Sequence, residues 1–116
     1  MTGVPTDPAL LRLRERLDRL NRDILELVQE RGEVVLEVAA LKEAADLDCY
    51  DPRREAEMLR ALTARSNGPF LDEDVTAVFQ ALFAVSLRLQ RRRRAVAADQ
   101  PEAEERRPRH LKALSK

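Results

Sequence analysis

Residues 10–41 read LLRLRERLDRLNRDILELVQERGEVVLEVAAL, and this stretch decides the fold. Taken in steps of three and four, it presents Leu10, Leu13, Leu17, Leu20, Ile24, Leu27, Arg31, Val34, Val38 and Leu41. The alternation never slips, so these positions form one face of a continuous amphipathic helix. Arg31 stands where its neighbours are Leu, Ile and Val. A guanidinium keeps its proton there, and burying it unpaired costs several kcal/mol. An anion must therefore meet it, either a carboxylate of the protein or a ligand.

The periodicity predicts a helix from about Pro8 to Ala45. About 36 residues at ~1.5 Å each make a rod of roughly 50 Å. A compact chain of 116 residues has a radius of gyration of only ~13 Å. The shorter segments that remain cannot cover such a rod. A helical pattern of this length points to a coiled coil or an intertwined oligomer. The expectation is a homodimer in which the long helices pack against each other.

Asp46 to Tyr50 breaks the pattern. Asp51-Pro52 then opens a second helix, with Asp as N-cap and Pro at the first helical position. It continues to about Arg65 with Met58, Leu59 and Leu62 facing inward, and Asn67-Gly68-Pro69 stops it. Leu71-Asp72-Glu73-Asp74 opens a third helix, its acids lying where the macrodipole favours them. The stripe of that helix is Val75, Phe79, Leu82, Ser86 and Leu89, with Gln90 one turn beyond the serine. No run alternates as a strand does. The fold expected is all-α, three helices per protomer, one long and two shorter, in an intertwined homodimer. The helical domain is placed at residues 1–96 and a polar, flexible tail at 97–116.

Composition removes several function classes. Charged residues make up 36% of the chain, yet the formal net charge is zero. No global field steers it to nucleic acid or to an anionic membrane. Aromatics are 3% and Trp is absent, which leaves no platform for stacking bases. No apolar run approaches the ~20 residues of a membrane span, and residues 1–8 lack the regions of a signal peptide. Cys49 is the only cysteine, so a reducing, cytoplasmic setting is expected. His110 and Cys49 give no metal-ligand spacing. The run Arg91 to Arg94 reads either as a phosphate or nucleic-acid patch or as a solvated helix end. Neutrality and the lack of interleaved aromatics favour the solvated end.

Other polar residues stand on faces that should be apolar. Lys42 follows Arg31 by eleven residues, three turns plus about 20°, so both lie on one helix face ~16 Å apart. It is the only lysine before the tail, and it offers a compact charge with rotatable donors that arginine does not. Arg14 is offset from Arg31 by roughly 100° on a straight helix, but in an antiparallel dimer it can approach the Arg31 of the other chain. Asp51, Arg54 and Glu55 form one local patch. Ser86 and Gln90 are an i, i+4 pair. Each has a plain structural reading: Arg31 paired with Glu55, Arg14 on the surface, Ser86 bonded to its own helix backbone, Gln90 at a solvated helix end. Their coincidence on one inward side favours a cationic pocket with neutral hydrogen-bonding groups and one carboxylate.

These residues resemble the chorismate mutases of the all-helical AroQ class. The resemblance covers about Leu10 to Gln90. It rests on Leu13-Arg14-Glu15-Arg16-Leu17-Asp18, on Glu30-Arg31 followed by Lys42, on Tyr50-Asp51-Pro52-Arg53-Arg54-Glu55, and on Phe79 through Ser86 to Gln90. It implies an isomerase that converts chorismate to prephenate in phenylalanine and tyrosine biosynthesis. It also implies an intertwined dimer in which Arg14 reaches the partner's site. Arg14 and Arg31 would bind the substrate's two carboxylates. Lys42 and Gln90 would donate to the ether oxygen of the bond that breaks. Glu55 would accept the ring hydroxyl with Asp51 nearby, and Arg54 and Ser86 would complete the lining. The reaction is a concerted Claisen rearrangement, so no cofactor, metal or nucleophile is expected. No fused catalytic or regulatory domain is expected either, which makes it a stand-alone mutase with a possible pathway-enzyme partner. The competing readings are an isochorismate-pyruvate lyase of the same fold and a non-catalytic helical dimer that regulates a partner.

Overall fold

A computed structural model describes residues 7–99. Among them it is all-α: α1 runs Pro8–Ala44, α2 Pro52–Arg65 and α3 Asp72–Asp99. These bounds follow the sequence expectation closely, except that α3 continues to Asp99. Residues 100–116, the greater part of the expected tail, lie outside the described residues.

All three helices start with a carboxylate on an orphan backbone N–H. Asp7 Oδ1 accepts from Ala9 N at 2.9 Å, with Pro8 next in the chain. Asp51 Oδ1 accepts from Arg54 N at 3.1 Å, again with Pro at the first helical position. The same Asp-Pro dipeptide thus begins both helices, because Asp supplies the acceptor and Pro has no N–H to satisfy. At α3, Asp74 Oδ2 reaches back to Leu71 N at 3.2 Å, one half of a capping box.

The end of α1 is a Schellman motif built without glycine. Leu47 N donates to Lys42 O at 2.7 Å and Asp46 N to Glu43 O at 3.1 Å. Asp46 takes φ 58°, the left-handed conformation this closure requires. The end of α2 is simpler. Ser66 adopts an extended conformation and its N–H returns to Thr63 O. The stop needs no left-handed glycine, since no described glycine has positive φ.

The described residues fall into two units that divide within α1, one reaching Glu33 and one starting at Val34. The first is helix alone. Its large apolar side chains are exposed, from 39% at Leu10 to 64% at Leu27. The second holds the end of α1 with α2 and α3, and α2 packs against α3. Its buried residues are Ala39, Ala40, Cys49, Phe83 and Gln90. Phe79 and Phe83 meet in a tilted pair with ring centroids 6.3 Å apart. Met58, Leu59 and Leu62 of α2 are half-buried, as their spacing predicts.

Candidate active site

Two of the candidate residues, Arg14 and Arg31, belong to the first unit. Arg14 is exposed and Arg31 is half-buried. The other six belong to the second unit. Lys42, in the last turn of α1, is half-buried and donates from Nζ to Cys49 O at 3.2 Å. That bond folds the loop after α1 back over the helix end, and it holds the ammonium in place through a neutral acceptor.

On α2, Asp51 commits one carboxylate oxygen to the cap. Glu55 follows in the first turn, half-buried. Arg54 is exposed. On α3, Ser86 Oγ donates to Leu82 O at 2.8 Å, the back-bond open to a helical serine. Gln90 is the single buried polar residue among those described, 9% exposed, and its Oε1 has no hydrogen-bond partner among the described residues. A solvated helix end is therefore not its environment. A buried amide with an unmet oxygen loses part of its solvation free energy, a loss on the order of 1–3 kcal/mol.

The sequence did not single out the polar groups that join α3 to the end of α1. Arg93 pairs with Glu43, the two side chains 12% and 36% exposed. Arg94 donates from one terminal nitrogen to Leu47 O at 2.5 Å. Half of the Arg91–Arg94 run is thus not a solvated helix end. Because α3 runs on to Asp99, Arg93 and Arg94 lie inside it, on the face that continues from Phe83 through Gln90. Arg91 and Arg92 are exposed, as expected. The signal available was the i, i+3 and i, i+4 spacing from Gln90. An open surface hollow lined by Arg16, Arg19, Leu20, Arg22 and Asp23 shares no residue with the candidates.

Electrostatically, the candidate residues of the second unit include one ammonium, Lys42, one buried amide, Gln90, and two half-buried carboxylates, Asp51 and Glu55. This inventory suits the stabilisation of developing negative charge on a neutral oxygen. No helix among the described residues is long and apolar enough to cross a membrane.

Comparison with known proteins agrees. The family model described as chorismate mutase type II matches residues 13–91, a span that includes all eight candidates. A solved chorismate mutase (Form II) from Thermus thermophilus is 45% identical, with a TM-score of 0.71 over 72% of this chain and 96% of that one. Form I of the same protein gives 45% identity and a TM-score of 0.66, covering 67% of this chain and 98% of that one. A bifunctional chorismate mutase/prephenate dehydratase from Stutzerimonas stutzeri is 32% identical over 83 residues, 67% of this chain and 23% of that protein. One of the same description from Neisseria gonorrhoeae is 29% identical over 85 residues, 73% of this chain and again 23% of that protein. The chain thus spans about a quarter of the length of the curated relatives it matches. With three helices in the expected order and the family's match running from helix one to the end of the candidate site, the chain belongs to the chorismate mutase type II family.

Proposed function

We propose that this protein is a chorismate mutase, rearranging chorismate to prephenate by electrostatic stabilisation and conformational restraint. The observation that carries the reading is Gln90: a buried amide, with an N–H able to donate, inside the matched span and on the helix that would face the substrate. In the Claisen transition state the carbon–oxygen bond lengthens and negative charge gathers on the ether oxygen. The Lys42 ammonium and the Gln90 amide N–H are donors suited to that oxygen. Donors fixed beforehand strengthen their interaction as the charge grows, so they lower the barrier more than they tighten binding.

Family likeness assigns the substrate's two carboxylates to Arg31 and to Arg14 of a second copy, and the ring hydroxyl to Glu55. Asp51 serves this patch mainly by capping α2, and Arg54 and Ser86 line it. Holding both carboxylates restrains the enolpyruvyl arm over the ring, which removes rotational freedom before reaction. Gln90 is neutral at every pH, so the rate should stay level between pH 6 and 8.

The assembly in this proposal is a homodimer. Leu13, Leu17, Leu20, Ile24 and Leu27 stand exposed along the first unit, in register with one another on one helix face. A second copy of the same face is self-complementary and closes with two-fold symmetry.

The test is chorismate consumption by the purified protein, beside Lys42→Ala, with prephenate identified by chromatography. Conversion that collapses in the variant is the expected result. A folded protein that leaves chorismate intact overturns the reading, and turnover of isochorismate in its place reassigns the chain to the lyase.

A further inference from the structure

Two buried polar atoms lack a partner within the described part of the chain: Gln90 Oε1 and Arg94 Nε. They are complementary. Oε1 only accepts, and a guanidinium Nε–H only donates. They also stand four residues apart on α3, where Cβ atoms are about 5–6 Å from each other on one face. The two atoms are not hydrogen-bonded to each other, so one bridging water is the link open to them. The guanidinium is not loose. Its terminal nitrogen is anchored on Leu47 O at 2.5 Å, in the loop that Lys42 also holds through Cys49 O.

We propose that Arg94 is a positioning residue for Gln90: its Nε–H, through one bridging water, holds Oε1 and so turns the amide Nε2 toward the substrate. The inference rests on the proposed mutase activity for its functional meaning. The physical need is specific. A primary amide presents a donor on one side and an acceptor on the other, and the two are nearly equal in shape. Turned the wrong way, Gln90 would place its carbonyl oxygen against the ether oxygen, and two partial negative charges would meet as the bond breaks. Neither packing nor shape distinguishes the two orientations. A donor-only group on the inner side does, because the water that accepts from it turns its hydrogens to the oxygen. Arg93, one residue before, does not serve this purpose, since its guanidinium is paired with Glu43.

The full-length protein tests this through two readouts. The first needs no activity: the side-chain amide resonances of Gln90 in ¹⁵N-labelled protein, assigned by their loss in Gln90→Leu. In the wild type they should report a protected, fixed amide, and in Arg94→Lys, which keeps the charge but lacks the Nε–H, they should move toward values of a freely exchanging one. Arg93→Ala should leave them in place. Unchanged Gln90 resonances in Arg94→Lys overturn the proposal whether or not chorismate turns over. The second is kinetic. Arg94→Lys and Arg94→Ala should lower kcat by about tenfold to a hundredfold, the scale of a misplaced reacting group, with KM held within about twofold. In a Gln90→Ala background the same Arg94 substitutions should cost little more. An equal loss in both backgrounds would mean that Arg94 acts independently of Gln90, which overturns the assignment. If Arg94→Ala does not fold, the Arg94→Lys pair of measurements decides alone.

Discussion

The two ends of α1 are built on opposite principles. Up to Glu33 the helix carries Leu and Ile on a regular stripe and leaves them exposed, Leu17 and Ile24 both at 57%. From Val34 on, the stripe itself stays exposed, Val34 at 51% and Leu41 at 50%, but a second face of the same helix carries Ala39 and Ala40, buried at 0% and 6%, and the helix end is fixed by polar bonds from Lys42, Glu43 and Leu47. In the proposed homodimer, the large side chains exposed among the described residues would be buried by a second molecule. Small side chains let the neighbouring elements approach closely within one molecule. The difference separates what assembly stabilises from what the protomer stabilises by itself.

The strongest way to break this comparison is to charge the stripe. Leu17→Glu with Ile24→Glu removes two large apolar groups from each chain, four from the proposed interface, each contributing ~1.5–3 kcal/mol when buried. The dimer dissociation constant should rise by about four orders of magnitude or more. Sedimentation would report the monomer, and helical ellipticity should fall with it, because an isolated helix is marginal in water. A variant that sediments as the wild type does at equal concentration would refute the stripe as the interface.

The next largest effect belongs to the other unit and should leave assembly alone. Lys42→Ala removes a donor that the proposal aims at the ether oxygen, an expected loss of ~3–4 kcal/mol in barrier stabilisation, or about 10²–10³ in kcat. The sedimentation profile should not change. An Arg31→Ala variant, by contrast, should weaken both binding and turnover, since a carboxylate contact is made in ground and transition states alike.

This division marks what was legible in the sequence. Periodicity gives the face of a single helix, so the stripe of α1, the inward trio of α2 and the Asp51 cap were all readable. It does not say which faces meet. Glu43 and Arg93 are fifty residues apart, and nothing in either local pattern pairs them. The Arg91–Arg94 run read as solvated on neutrality and the lack of interleaved aromatics, neither of which says which face of α3 each arginine takes. A helix that continues to Asp99 brings half of the run onto the inner face. Gln90 was legible as a candidate from spacing alone, but its burial was not. The stripe as read ran through Leu82 and Leu89, whereas the most buried positions, Phe83 and Gln90, lie one residue further on.

A smaller effect tests whether α2 is held at its start by Asp51. Asp51→Ala removes the acceptor for Arg54 N and should destabilise the protein by about 1 kcal/mol. If Asp51 serves the site chiefly through this cap, Asp51→Ser should restore the melting temperature and the turnover together. Stability restored without turnover would give the carboxylate a direct part in binding.

The smallest expected effect is a gain. Asp46 holds φ 58° at the close of α1, and an L-residue in that conformation costs about 1–2 kcal/mol, with Asp at the low end. Its carboxylate also lies at the negative end of the helix dipole. Asp46→Gly removes both penalties but loosens the unfolded chain, which returns ~0.4–1 kcal/mol. The balance is a stabilisation of about 0.5 kcal/mol, or roughly 2–4 °C in Tm for a domain of this size. Asp46→Asn separates the two causes, since it keeps the side-chain shape and removes only the charge. Both variants act on a turn closed by Leu47 N and Lys42 O within one protomer. Their Tm shifts should therefore stay constant as protein concentration changes, while those of the Leu17 and Ile24 variants grow on dilution. A concentration-dependent shift at Asp46 would tie this turn to the interface and erase the distinction between the two ends of α1.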